Sequence, residues 1–322
     1  MFIYLNDRFV KEEEAVVSVF DHGFLYGDGV YETIPSYGNG IFMRDQHLAR
    51  LRRSAEAIGL TIPILEDRWP VLLHEAMTKN DVGNDRVDAY LRITITRGAG
   101  DIGLDPALCP IPTVVIMTKP LAPPSPQTYQ TGVSLVVAKT RRNLPTALDP
   151  QIKATNFLNN IQAKREAIAA GAFDSILLNW ESHLTECTVS NLFFVQAGRL
   201  CTPALSCGLL DGITRDIVLN LARELQISVE DQAGRGDGTP DAANAPDAVI
   251  APKARERRGQ IVVDREQPDP RPPRDFLTHL LDARVTGEEK HRHVRRRGHA
   301  RIEIQLAVLR DHHLRRMTRE PE

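Results

Sequence analysis

The sequence predicts an α+β chain of two domains, on three observations. Its 322 residues, 42% of them hydrophobic, can supply two separate cores. Four prolines within seven residues of the run Lys119 to Pro126 interrupt the pattern, because proline lacks the amide that a helix or ladder interior needs. On both sides of that run, strand-like and helix-like segments alternate. The expected division is a small α/β domain at 1–118, a linker at 119–130, a second domain at 131–230 and a segment of different character at 231–322.

Composition excludes several classes of function. A formal net charge of −2 gives no reason to expect nucleic acid or an anionic membrane as partner. No stretch approaches 18 consecutive apolar residues, and the first residues lack a signal-peptide core, so a cytoplasmic protein is expected. Cys109, Cys187, Cys201 and Cys207 show no CxxC spacing and no neighbouring histidine pair. Reduced packing thiols are therefore expected, with no metal site.

Taken in order, Phe2 to Val10 and Ala15 to Val19 read as short strands around a turn at Asn6 and Asp7. Gly23, Gly27 and Gly29 follow within seven residues, a spacing that serves either a hairpin or a close backbone approach. Asp45 suits the N-cap of a helix to Ile58 with Leu48, Leu51, Ala55 and Ile58 on one face, Arg50 off that stripe and Gly59 as the stop. A second helix is expected over Glu66 to Asn80. Arg86 to Arg97 alternates as a strand, with Tyr90, Arg92, Thr94 and Thr96 sharing one face, which polar strand residues ordinarily turn to water. Thr113 to Thr118 reads as a buried strand. The second domain is expected to open with the strand Val133 to Ala138 and to continue through Ser175 to Asn179 into a hairpin. Asn191 to Val195 and Arg199 to Pro203 complete its sheet. A last helix, Thr214 to Gln226, carries Ile217, Val218, Leu221 and Leu225 inward.

The chemistry centres on Lys153. It follows a proline-bounded extended segment and precedes a helix, Asn156 to Ala170, whose apolar positions Phe157, Ile161 and Ile168 recur at helical spacing. Downstream stand the carboxylate Glu186 and a helix start at Asp211-Gly-Ile-Thr-Arg215. An amine, a carboxylate and a helix N-terminus with free N–H groups match an aldehyde cofactor that carries a pyridine nitrogen and a phosphate. Taken singly, each has an ordinary explanation: a solvated lysine, a turn carboxylate, a helix start.

Five stretches in this order, Tyr26-Gly-Asp-Gly-Val-Tyr-Glu-Thr33, His47-Leu-Ala-Arg-Leu51, Ile152-Lys-Ala-Thr-Asn-Phe-Leu-Asn-Asn160, Leu184-Thr-Glu186 and Gly212-Ile-Thr-Arg215, resemble the fold-type IV pyridoxal-phosphate enzymes. That group includes branched-chain aminotransferases, D-amino-acid aminotransferases and aminodeoxychorismate lyases. The resemblance runs from about Tyr4 to about Glu230 and implies a small α/β domain plus a larger pseudo-barrel domain. It implies pyridoxal 5'-phosphate held as a Schiff base on Lys153, the catalytic residue, with Glu186 at the ring nitrogen and Leu210 on the ring face. Arg50 and the N–H groups of Ile213 and Thr214 would take the phosphate. Tyr26, Tyr31, Tyr90 and Arg92 would form the substrate side, and a homodimer is expected.

The implied reaction is transamination of a branched-chain L-amino acid with 2-oxoglutarate; the D-amino-acid enzyme and the lyase stay open as alternatives. Tyr90-x-Arg92 resembles the substrate-carboxylate side of the branched-chain enzymes, and no Arg-x-His follows Thr96-Arg97-Gly98. Phe157 stands where tyrosine is frequent in the family, and Cys187 where glycine commonly follows the glutamate.

From Asp231 onward the chain holds seventeen arginines, eight prolines, six histidines and one aromatic residue, Phe276. Such a composition favours disorder, and the family's Ser/Thr-rich phosphate turn has no counterpart there. A frame shift or an unrelated basic tail would produce the change. The expectation is a chain with impaired cofactor binding or a catalytically inactive relic, with short helices at Asp275 to Val285 and Ile302 to Leu309.

Overall fold

The computed structural model describes residues 1–38, 40–196 and 199–232, together with the strand segments 254–257, 260–263 and 301–302. The chain separates into two compact units, one containing Met1–Pro123 with Gln151–Phe157, the other Pro124–Pro150 with Leu158–Val308. Lys153 therefore groups with the first unit, whereas the sequence reading had it within 131–230.

The first unit opens with a hairpin, β1 (Phe2–Leu5) and β2 (Arg8–Lys11), turning at Asn6 with φ 60°. A 3-10 turn, Glu12–Glu14, follows, and the expected strand Ala15 to Val19 is absent: Val16, Val17 and Val19 are exposed and outside any ladder. A short helix, α1 (His22–Tyr26), is capped by the Asp21 carboxylate on the Gly23 amide and stopped by Gly27 at φ 71°. Helix and stop replace the simple hairpin, and the glycines serve close approach as well. A Cβ on Gly23 would lie 2.2 Å from Thr96 Cγ2, and one on Gly29 would lie 2.8 Å from the Ile95 carbonyl oxygen.

Next come β3 (Gly29–Tyr37), β4 (Gly40–Ile41) and two helices, α2 (Arg44–Ala57) and α3 (Trp69–Lys79). The cap of α2 is Met43 in the left-handed region, not Asp45. Asp45 lies in the first turn, where its charge still complements the helix dipole. β5 (Ala89–Thr96) and β6 (Thr113–Pro120) complete a six-stranded sheet ordered β2-β1-β6-β5-β3-β4. Val30, Ile34, Leu91, Ile93, Ile95, Val114 and Ile116 turn one face of it into a core with Leu48, Leu51, Trp69 and Leu73. The opposite face carries Tyr31, Thr33, Tyr90, Arg92 and Thr94, since Tyr31 pairs with Thr94 and Thr33 with Arg92. At the end of β5 the buried Arg97 donates to Asp28 and to the carbonyls of Ile58 and Gly59, which ties α1, β5 and the end of α2 together.

The proline run is less barren than its composition suggests. The β6 ladder reaches Pro120, paired with Ala89, and Pro126 opens a helix, α4 (Pro126–Thr131), capped by Ser125. Proline costs nothing at a first helical position, where its missing amide would have had no partner.

In the second unit, β7 (Leu135–Val137) runs parallel to β8 (Asp174–Leu178), which pairs with β9 (Leu184–Cys187). Helix α5 (Leu158–Ala169) packs on β8 through Ala163. Its buried face is Asn160, Ala163 and Ala167; Ile161 and Ile168, expected inward, are exposed. A second sheet joins β10 (Phe194–Gln196), β11 (Arg199–Pro203) and β12 (Val229–Gln232). Helix α6 (Ile213–Glu224) buries Ile217, Val218, Leu219 and Ala222, while Leu221 and Leu225 are only partly covered.

The remaining described segments are a hairpin ladder, β13 (Ala254–Arg257) with β14 (Gln260–Val263), and β15 (Arg301–Ile302), which pairs with β7. Ile302 is thus a strand residue. The helix expected at Asp275 to Val285 and the rest of that at Ile302 to Leu309 lie outside the described residues. Among the described residues no helix is long and apolar enough to cross a membrane.

Candidate active site

Lys153 is stitched to the edge of β3 and to α2. Its carbonyl accepts from the Tyr31 amide at 3.0 Å, the Thr155 amide donates to the Gly29 carbonyl at 2.9 Å, and Ala154 bridges Val30. The Lys153 amide donates to Ser54 Oγ of α2 at 3.1 Å. Thr155 Oγ1 donates to the Gly27 carbonyl. With its backbone fixed on both sides, the side chain has a defined origin.

The half-buried Lys153 amine lies 3.5 Å from the Tyr31 hydroxyl and 4.5 Å from the centroid of the Tyr31 ring. Arg92 Cζ is 4.1 Å from the same ring, and Phe157 meets it edge-on at 5.6 Å. Arg92 is partly covered, and the Tyr31 ring next to it offers an attractive face for a guanidinium. Tyr90 extends the group, its hydroxyl 3.4 Å from Thr33 Oγ1. Tyr26 is 40% exposed, stacks edge-on against His22 and accepts from the Gly103 amide.

Burial pushes the Tyr31 phenol up to about 12, against the lowering effect of the Arg92 charge. The hydroxyl therefore stays protonated across the neutral range. Because the folded-state value lies above the ordinary 10.0, Tyr31 contributes stability in full below pH 10, and that contribution disappears as pH rises through 12. In alkaline difference spectra the wild type should show a tyrosine ionising near pH 12 that Tyr31→Phe lacks. An unchanged titration would contradict the assignment.

Arg50 is buried with His47, and the two lie one turn apart on a polar strip of α2 that ends in Ser54. Arg50 donates from Nε to Glu32 Oε1 at 2.6 Å and from Nη2 to Oε2 at 2.9 Å; His47 Nδ1 is 2.8 Å from Oε2. Burial alone would raise the Glu32 carboxyl, but hydrogen bonds from His47 and Arg50 outweigh it and hold it below the usual range. The sequence reading missed Glu32. Its signal was a carboxylate alternating with Val30 and Ile34 on a core face, a position that requires a partner.

In the second unit Glu186 is buried on β9, accepting from Arg142 Nε at 2.8 Å and from the Leu210 amide at 3.2 Å. Arg142 also donates to Asn159 Oδ1. The sequence reading missed Arg142, one of two adjacent arginines in an extended stretch with nothing to single it out. Asn191 Nδ2 donates to the Leu210 carbonyl, so Leu210 is fixed on both sides of its peptide backbone. Helix α6 begins at the buried Ile213, with Thr214 exposed and no side-chain hydrogen bond at its cap, Gly212. A Cβ on Gly212 would lie 1.8 Å from Asn191 Oδ1. Burial pushes the Cys187 thiol up to about 12, consistent with a packing residue.

Residues 29–242 match the sequence model of the family described as "Amino-transferase class IV". The chain is 39% identical over 232 residues to the "Putative branched-chain-amino-acid aminotransferase" of Methanocaldococcus jannaschii, covering 72% of this chain and 78% of that protein. It is 34% identical over 230 residues to the aminodeoxychorismate lyase of Bacillus subtilis, covering 71% and 76%. The crystal structure of the Escherichia coli branched-chain amino acid aminotransferase superposes with a TM-score of 0.68 at 29% identity, over 72% of this chain and 77% of that one. The five motifs, the fold and these likenesses agree that the chain belongs to the class IV aminotransferases, the fold-type IV group of pyridoxal-phosphate-dependent enzymes.

Proposed function

We propose that this enzyme transfers the amino group of a branched-chain L-amino acid to 2-oxoglutarate, with Lys153 as the residue that attaches the cofactor and moves the proton. The observation carrying this reading is the Lys153 amine, half-buried beside the Tyr31 hydroxyl on a backbone tied to β3 and α2. The chemistry of each unit's donors suits pyridoxal phosphate: in the first an amine for its aldehyde and an arginine for its phosphate, in the second a buried carboxylate for its ring nitrogen and a helix start without a side-chain cap for its phosphate. When bound, that group supplies a carbonyl that takes up the amino group and a ring that draws electrons from the bond to be broken.

In this reading the Lys153 amine accepts the proton from the substrate Cα and returns it on the other side of the exchange. Tyr31, protonated at neutral pH, offers its hydroxyl beside that amine. Glu186, fixed by Arg142 and the Leu210 amide, holds the proton on the ring nitrogen. Leu210 would lie against the ring, the Ile213 and Thr214 amides would donate to the phosphate, and the Arg50 guanidinium would neutralise it. Tyr31 and Tyr90 give an aliphatic side chain an aromatic wall, Arg92 receives a carboxylate, and Tyr26 completes the substrate side.

The preference for a branched-chain substrate draws support from Tyr90-x-Arg92 and from the names of the M. jannaschii relative and the E. coli structure. Its test is steady-state kinetics with 2-oxoglutarate as acceptor. L-Leucine, L-isoleucine or L-valine should exceed D-alanine in kcat/KM by about 100-fold or more. A preference for D-alanine, or elimination chemistry on aminodeoxychorismate, would overturn it.

The assembly proposed is a homodimer. Val16, Val17, Val19, Phe20, Phe24 and Leu104 are each at least half exposed, apolar side chains that a second copy would cover. Sedimentation at micromolar concentration should give twice the 35.9 kDa chain mass; an active monomer would contradict this.

A further inference from the structure

We propose that Glu32 is a positioning residue that fixes the plane of the Arg50 guanidinium toward the cofactor phosphate, with His47 holding the Glu32 carboxylate in turn. The inference rests on the reading of Arg50 as a phosphate-binding residue and goes one shell of contacts beyond it. Glu32 is fully buried, at 0% exposure, on the core face of β3, where an isolated carboxylate would be costly. It is retained there with three donors: Arg50 Nε at 2.6 Å, Arg50 Nη2 at 2.9 Å and His47 Nδ1 at 2.8 Å. Two parallel bonds to one guanidinium fix its plane as well as its place, which a single contact cannot do. Arg50 and His47 reach the carboxylate from the same polar strip of α2 that supports Lys153 through Ser54.

The sign of the effect separates positioning from simple charge balance. If Glu32 only neutralised Arg50, removing its charge would leave the site more positive and tighten phosphate binding. If it holds the guanidinium in orientation, removing one of the two parallel bonds weakens phosphate binding despite the gain in positive charge.

The test uses the full-length apoprotein titrated with pyridoxal phosphate and with phosphate-free pyridoxal, each followed by absorbance, so the readout is a ratio of affinities. Glu32→Gln should weaken pyridoxal phosphate about tenfold or more and change pyridoxal by no more than about twofold. Glu32→Asp, which keeps the charge but is one methylene too short for both bonds, should show the same loss in smaller measure. An unchanged ratio, a ratio shifted in favour of pyridoxal phosphate, or an equal loss of both ligands overturns the proposal. If Glu32→Gln does not fold, the Glu32→Asp ratio decides in the same way. Arg50→Gln separates the two levels. An unchanged ratio there removes Arg50 from the phosphate, and the premise with it. A lowered ratio with Glu32→Gln unaffected removes only the role of Glu32.

Discussion

Lys153→Ala is expected to reduce transamination by about 10³-fold or more, because in the proposed reading the lost amine attaches the cofactor and moves the proton. The fold should survive. The contacts that fix this segment use the Lys153 backbone, to Tyr31 and Ser54, and alanine retains both. The side chain is only half-buried, so unfolding in urea should shift by no more than about 1 kcal/mol. Circular dichroism together with single-turnover kinetics checks both parts. A variant that is folded and active at the wild-type rate would remove Lys153 from the mechanism.

Glu186→Gln should keep the cofactor and lose about 10²-fold or more of the rate, since a neutral amide cannot stabilise a proton on the ring nitrogen. This substitution also carries a structural cost that the lysine variant lacks. Arg142 is buried against Glu186, and removing its counter-charge while one hydrogen bond persists should lower stability by about 2 kcal/mol. Cofactor affinity and single-turnover rate, measured side by side, separate the two effects. A rate that falls only as far as cofactor occupancy falls would assign Glu186 to binding alone.

The sequence was legible where one residue type has one physical use. Gly59 stops α2 at positive φ, and β5 alternates buried and half-buried as its apolar period requires. It was misleading where periodicity gave a spacing but not a face. In α5 the isoleucines and the alanines both recur at helical intervals, and the alanines win the buried side because Ala163 lets the helix approach Leu177 of β8. Burial of Arg215 on α6 was hidden for a related reason, its polar character masking a position inside the helix's covered face.

Of the candidate residues, the motifs marked Lys153 and Arg50 in the first unit and Glu186 in the second, but not what holds them. Glu32, Ser54 and Arg142 are brought to their partners by tertiary pairing, across 18, 99 and 44 residues of sequence respectively. No local pattern encodes such separations. Only Glu32 left a trace, as a charge on an apolar face.

Lys153 is proposed to carry the cofactor. Reducing the pyridoxal-phosphate-loaded protein with borohydride and mapping its peptides by mass spectrometry tests it directly. A pyridoxyl group retained on the peptide containing Lys153, with the near-visible absorbance band lost on reduction and absent from Lys153→Ala, is the predicted result. A pyridoxyl group on another lysine, or none on a loaded protein that transaminates, would contradict it.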